Sequence, residues 1–366
     1  MMPIVKGELL TTEVYDTHAV DRRLAHCYSD GASLACMRSV PLSAIRDAAS
    51  GIYDVVHRTP MIPLPLPPRL HDQLEGRRIL LKLEMLQPTG SFKIRGAWNA
   101  VRLTPPEELA DGIWTVSAGN AAQGVALAAR RAGVPCGVLV MDTAPRTKVD
   151  AITRLGATIV MASYDECWRT AETRRSDRMR GYFVHPFDDD RFIAGNGTIG
   201  LEILEDAPNV DTVVAALGGG GLLSGIGSAL HALRPQTDIV AAEPETAAPF
   251  AASLTAGHAT TFAEWRSSFV DGAGGRSVLP SMWPLLSSLI SESLVMSLTD
   301  IGAAMAHVAE HCNVITEGAA ACAIAAALSG RAGGPGGTIV AVASGGNIDL
   351  ARFARIVDAC PPRIDM

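Results

Sequence analysis

Residues 211–233 read "DTVVAALGGGGLLSGIGSALHAL". An apolar run ends in four consecutive glycines, Gly218 to Gly221, and a leucine- and alanine-rich stretch follows. Strand, small-residue turn and helix in that order predict one unit of a parallel sheet covered by helices. With no side chains in the turn, successive backbone N–H groups can point into one concavity. The following helix adds its positive N-terminal end. Such a cup suits a phosphate monoester. No Lys-Ser/Thr follows the glycines, so a nucleotide P-loop does not fit, and the spacing is not that of a dinucleotide fingerprint. Taken alone, the glycine run is explained equally well by tight helix–strand packing.

The same unit recurs along the chain. "GIWTVSAGNAAQGVALAARRAG" (112–133), "PCGVLVMDTAPRTKVDAITRLG" (135–156) and "ATIVMASYDECWRTAE" (157–172) each join a short apolar strand to a helical stretch. "RILLKLEML" (78–86) and "GTIVAVASGG" (337–346) supply further strands. Alternation of this kind predicts an α/β fold with parallel sheets and helices on both faces. A helix is expected over 43–57, and the proline-rich "TPMIPLPLPPRL" (59–70) reads as an extended connection. Residues 1–40 lack periodicity and read as an N-terminal extension.

The 366 residues are 48% hydrophobic and 19% charged, enough for a sizeable core. A net charge of −7 with no basic stripe excludes nucleic acid as the expected partner. The longest apolar run contains four glycines in its middle, so no membrane span is expected. The N-terminus has no apolar leader segment. Seven cysteines are scattered without a C-x-x-C pair, as in a reduced, cytoplasmic protein.

Ligands of parallel sheets bind outside the carboxyl ends of the strands, and three further loops stand at such ends. "QPTGSFKIRGAWNAV" (87–101) holds Lys93, one of only four lysines, with Lys6, Lys82 and Lys148; the remaining cations are arginines. Arginine supplies charge but forms no Schiff base, because its guanidinium stays protonated. Ser117-Ala118-Gly119-Asn120-Ala121 exposes backbone N–H groups at a helix start and suits a carboxylate. Asn120 can reach a phenolic oxygen there, or simply cap the helix. Ser344, after "TIVAVA", can face a ring nitrogen. Pyridoxal phosphate needs a lysine for its aldehyde, a phosphate cup, and partners for its phenolic oxygen and ring nitrogen. Lys93, Gly218 to Leu222, Asn120 and Ser344 meet those four needs together.

"PTGSFKIRGAWNAV", "SAGNAAQGVALAA", "FDDDRFIAGNGTIGLEIL", "GGGGLLSGI" and "VASGGNIDL" fall in the order found in the fold-type II pyridoxal-phosphate enzymes. From about Leu42 to Ile356 the chain resembles their threonine dehydratase and serine racemase group. The resemblance implies a tryptophan-synthase-β-like fold of two α/β domains with the cofactor between them. The large one would comprise 41–111 and 190–366, the small one 112–189. It implies that Lys93 carries the cofactor, that Phe92 packs beside the ring, and that Asn120 bonds the phenolic oxygen. Gly218, Gly219, Gly220, Gly221 and Leu222 would hold the phosphate, and Ser344 would face the pyridine nitrogen. The substrate carboxylate would lie on Ser117, Ala118, Gly119, Asn120 and Ala121.

The implied reaction is β-elimination from L-threonine or L-serine, giving 2-oxobutanoate or pyruvate plus ammonia, with Lys93 moving the Cα proton. Ile94-Arg95-Gly96 after the lysine is the dehydratase pattern, where sulfhydrylases and threonine synthases carry Asp. Family racemases have a serine where this chain has Ala118, a methyl with no proton to give, which argues against racemisation. Ala121 replaces the usual histidine and opens space, so 3-hydroxyaspartate or phenylserine are alternative substrates; a non-catalytic cofactor binder is the alternative outside enzymes. Glu317 matches a family glutamate near the ring, with Gly318 in place of proline; a helix N-terminal charge is its other reading. Glu243 matches a family metal ligand, but Pro249 stands near the second ligand's place, and no metal is expected. No regulatory domain is expected after residue 350. A homo-oligomer, dimer or tetramer, is implied.

Overall fold

The structure is a computed structural model that describes residues 38–360 other than 67, 75 and 145. Residues 1–37 of the expected extension lie outside the described residues. Among the described residues the apolar runs form ten strands: β1 (Met61–Pro63), β2 (Arg78–Leu83), β3 (Ile113–Val116), β4 (Cys136–Met141), β5 (Thr158–Ala162), β6 (Tyr182–Phe183), β7 (Thr212–Ala216), β8 (Asp238–Pro244), β9 (Glu292–Met296) and β10 (Thr338–Ala343). Six make one sheet in the order β1-β2-β10-β7-β8-β9, and four make a second in the order β5-β4-β3-β6. Every pairing is parallel except β1 with β2.

Both faces of the larger sheet are buried, which is why its strands read as continuous apolar runs rather than alternating ones. Successive residues still part company by the two-residue period of a strand. Ile79, Leu81 and Leu83 join Val214, Ala341 and the alanine-rich helix Gly318–Leu328. Leu80, Val213, Val340 and Val342 face the helices Asp190–Asp206 and Gly221–Leu233. Those two helices meet through glycines. A Cβ on Gly225 would stand 2.5 Å from the Ile193 carbonyl oxygen and 2.6 Å from the Gly197 nitrogen.

Two sequence expectations need correction. The helix expected over 43–57 covers only Leu42–Gly51. The Val55 and Val56 N–H groups both bond the Ile52 carbonyl, and this turn buries Ile52, Val55 and Val56 against Ile94. The proline-rich segment is not wholly extended connection either. Met61–Pro63 pairs with β2, and a helix spans Pro68–Gln73. Pro63 is tolerated because β1 is an edge strand.

The order β2-β10-β7 sets the site. The Lys93 loop, the Ser344 loop and the glycine loop leave the carboxyl ends of three neighbouring strands. The Ser117 loop leaves β3 of the other sheet.

Candidate active site

Lys93 is the first residue of the helix Lys93–Arg102. The chain before it is laced to the segment after β10. Phe92 N–H donates to the Ser344 carbonyl at 3.1 Å, and Gly346 N–H to the Gly90 carbonyl at 2.9 Å. The Asn347 amide donates to the Thr89 carbonyl at 2.7 Å. Gly90 has φ +69°, a left-handed turn that glycine takes without strain, and a Cβ there would collide with Asn347. Lys93 Nζ points into a cavity, donates to the Pro186 carbonyl at 2.7 Å and lies 5.2 Å from the Phe92 ring centre. Burial lowers its pKa to about 8, against the opposing charge of Glu317.

Pro186 is held by its neighbour. His185 is fully buried, bonds the Ala171 carbonyl through Nε2 at 3.0 Å, and accepts the Phe187 and Asp188 N–H groups at Nδ1. Those partners fix the neutral ring with its proton on Nε2. Burial accordingly lowers its pKa to about 4. Asp188 in turn bonds Arg38, Arg174 and Ser281.

The cavity encloses about 550 Å³. Phe92, Lys93, Ser117 to Ala121, Gly218 to Leu222, Glu317 and Ser344 all line it, so every residue singled out for the site from sequence converges here. The glycine loop is shaped by packing. A Cβ on Gly219 would enter the Phe187 ring at 2.2 Å, and Gly220 has φ +90°. Its concave side is bare backbone. Among the described residues, the N–H groups of Gly218, Gly219 and Gly220 have no protein acceptor. Across the cavity, a Cβ on Gly119 would meet nothing within 4 Å and would project into open space.

Asn120 does not cap its helix. The cap position is Gly119, with no side-chain capping bond, and the Asn120 amide turns away instead. It donates to Glu317 Oε1 at 2.6 Å and accepts from Asn347 at 2.8 Å. Glu317 also makes no capping bond although it precedes the helix Gly318–Leu328. Burial and the nearby Asp271 raise its pKa to about 7, while Asn120 and the lysines pull the other way. Glu243 lies elsewhere, satisfied by the Phe250 and Ala251 N–H groups and the Ser293 hydroxyl.

Sequence reasoning missed Asn347, Lys148 and Asp271. Lys148, from the second sheet's helix Arg146–Arg154, pairs with Asp271 of the loop facing it, and Arg352 approaches the same carboxylate at 3.8 Å. Lys148, Asp271 and Arg352 line the cavity. The scarcity of lysine that drew attention to Lys93 applied equally to Lys148.

Comparison with known proteins matches residues 52–345 to the family described as pyridoxal-phosphate dependent enzyme. The chain belongs to that family. The L-threonine ammonia-lyase of Thermotoga maritima is 36% identical over 321 residues, 87% of this chain and 78% of that one. Among solved structures, the processed form of threonine deaminase isoform 2 from Solanum lycopersicum superposes with a TM-score of 0.77 at 31% identity, covering 88% of this chain and 96% of that one. Maize serine racemase superposes at 0.79 and 31%, covering 88% and 98%. The fold is thus that of the fold-type II pyridoxal-phosphate enzymes, and the cofactor is pyridoxal phosphate. The residues present fit it. Three unpartnered backbone N–H groups form a cup at one end of the cavity, a desolvated lysine amine stands within it, and the Ser344 hydroxyl lines the same space.

Proposed function

We propose that this pyridoxal-phosphate enzyme is a threonine and serine ammonia-lyase, converting L-threonine to 2-oxobutanoate and L-serine to pyruvate, each with release of ammonia. One observation carries the reading. Among the described residues, the one lysine amine of the cavity without a carboxylate hydrogen-bond partner, that of Lys93, is desolvated enough to exchange a proton near neutral pH. When bound, pyridoxal phosphate supplies an electron-poor ring that takes up charge from the substrate's Cα.

The protein's own groups do the rest. Lys93 would hold the cofactor through Nζ, and as a free amine would accept the substrate's Cα proton at the same atom. The Gly218, Gly219 and Gly220 N–H groups anchor the phosphate, with Leu222 at the start of the helix behind them. Phe92 packs beside the ring. Asn120 orients the phenolic oxygen, and Glu317, bonded to it, sits on the ring side. Ser344 offers the pyridine nitrogen a neutral hydroxyl. A hydroxyl would leave that nitrogen less fully protonated than an acidic partner would, which supports loss of the β-hydroxyl as the reaction. Ser117, Ala118, Gly119 and Ala121 receive the substrate carboxylate on their backbone. Ala118 has no proton to return from a second face, which supports elimination over racemisation.

Segments 41–111 and 190–366 are read as a large cofactor-binding domain and 112–189 as a small one, supported by the division of strands between the two sheets. A homo-oligomer and a cytoplasmic location belong to the same reading. Among the described residues no helix is long and apolar enough to cross a membrane. The size of the cavity and the small Ala121 favour, as a second reading, a 3-hydroxy amino acid bulkier than threonine.

The test is 2-oxo acid release by the cofactor-loaded protein from L-threonine, L-serine, 3-hydroxyaspartate and phenylserine. Turnover of the first two, lost in Lys93→Ala together with the bound cofactor's long-wavelength absorbance, is expected. Release from phenylserine or 3-hydroxyaspartate alone moves the assignment to the second reading. Absorbance without any product marks a binder.

A further inference from the structure

Four ionised side chains lie under the Lys93 loop with almost no solvent contact. Lys82, Glu84 and Arg95 are 0% exposed and Glu202 is 1% exposed. Arg95 Nε and Nη2 donate to the two oxygens of Glu84, both at 2.8 Å. Its Nη1 and Nη2 donate to the two oxygens of Glu202 at 2.6 and 2.9 Å, the fifth N–H reaches Thr198, and the His57 carbonyl shares Nη2. Lys82 completes the set, bonding Glu202 at 2.6 Å and the Thr59 carbonyl at 2.6 Å. The Thr59 hydroxyl and the Gln87 amide donate to Glu84. Burial disfavours the charge on Arg95, but Glu84 and Glu202 overcome it and hold the guanidinium above its ordinary range.

Such a cluster is a poor way to gain stability. Desolvating the ions costs several kcal/mol each, and apolar residues of the same volume commonly do as well or better. What it supplies is direction. A fork bonded at both prongs on two sides permits one orientation of the helix that carries it. Glu84 opens the short 3-10 turn Glu84–Leu86 at the end of β2, and Arg95 stands two residues after Lys93. Their bidentate pair therefore ties together the two ends of the loop that delivers the lysine.

We propose that Glu84 and Arg95 are positioning residues for Lys93: by closing the base of the 85–94 loop, their pair fixes where the amine stands in the cavity. This rests on the reading of Lys93 as the base of the elimination. Misplacing a reacting group by about 1 Å costs on the order of 100-fold in rate. In the cofactor-loaded enzyme, Glu84→Gln removes one charge at constant shape. It is expected to lower kcat about 10- to 100-fold with KM changed less than about 2-fold. Amide hydrogen exchange of residues 88–94 should quicken while the far-ultraviolet circular dichroism stays that of the parent. Thr59→Val keeps all four charges and removes only one donor to Glu84; a smaller kcat loss of about 3-fold, restored by Thr59→Ser, is expected. If Glu84→Gln does not fold, the Thr59 pair decides. Variants that lose melting temperature but keep kcat and loop protection would show a merely structural cluster and overturn the proposal. Retention of turnover by Lys93→Ala would instead overturn the assignment of the base, whatever Glu84 does.

Discussion

Lys93 shows how position alone changes a residue's chemistry. Its amine donates to a carbonyl oxygen rather than to a carboxylate, so the more distant charge of Glu317 only partly offsets what burial takes from its own. With the pKa lowered to about 8, the neutral amine fraction rises about tenfold per pH unit below that value and levels off above it. In protein stripped of cofactor, acylation of Lys93 followed by peptide mass spectrometry should trace that curve, whereas an ordinary exposed lysine keeps gaining until about pH 10.4. A Lys93 profile that still climbs at pH 10 would contradict the desolvated setting. Residue identity was legible where chemistry was scarce. Four lysines among the cations made Lys93 conspicuous, and a serine after an apolar strand made Ser344 a candidate. Asn120 was not decided by its own sequence neighbourhood. Capping is a local matter, but its actual partners, Glu317 and Asn347, are 197 and 227 residues away.

Between elements, the contact between the helices Asp190–Asp206 and Gly221–Leu233 admits little change. A methyl on Gly225 would press on backbone atoms of the facing helix at 2.5 and 2.6 Å, and backbone cannot swing aside as a side chain does. Gly225→Ala gains roughly 1 kcal/mol of helix propensity but should lose more to overpacking, for a net destabilisation of about 1–3 kcal/mol. Gly334→Ala is the control, with nothing within 4 Å of the added carbon and a change within about 0.5 kcal/mol. Urea midpoints of the two variants check the pair. Strands and helices of this layer were readable because each carries its own period. The turn that ends the first helix at Gly51, and the short strand at Met61–Pro63, were not. Both depend on surfaces supplied by distant chain, Ile94 for the turn and β2 for the strand.

Across the whole molecule, the cavity draws its walls from both sheets. Loops after β7 and β10 supply the glycines and Ser344, and the loop after β3 supplies Ser117 to Ala121. A ligand held by both sides stabilises the folded chain against any opening that separates them. At a cofactor concentration 100 times its dissociation constant the gain is about 2.7 kcal/mol. A thermal melt with and without pyridoxal phosphate should show that rise, and Lys93→Ala should show much less of it. Equal shifts in the two proteins would mean that the lysine adds little to retention. The pairing of sheets was legible only as fold class. Which strands neighbour which is decided by crossovers, and nothing in "GTIVAVASGG" says that it lies between β2 and β7.

That central place of β10 governs the order in which a new chain can become a protein. Residue 338 must meet residue 78, and both must be present before the larger sheet has its middle. The four strands between 113 and 183 find all their partners early. Strand β2, by contrast, leaves the ribosome with one long edge bare. It waits for β10 through the synthesis of some 255 residues, roughly 13–50 s at about 5–20 residues per second. During translation an apolar strand is thus held open for many seconds, and the nascent chain is a natural client for chaperones that shield such edges.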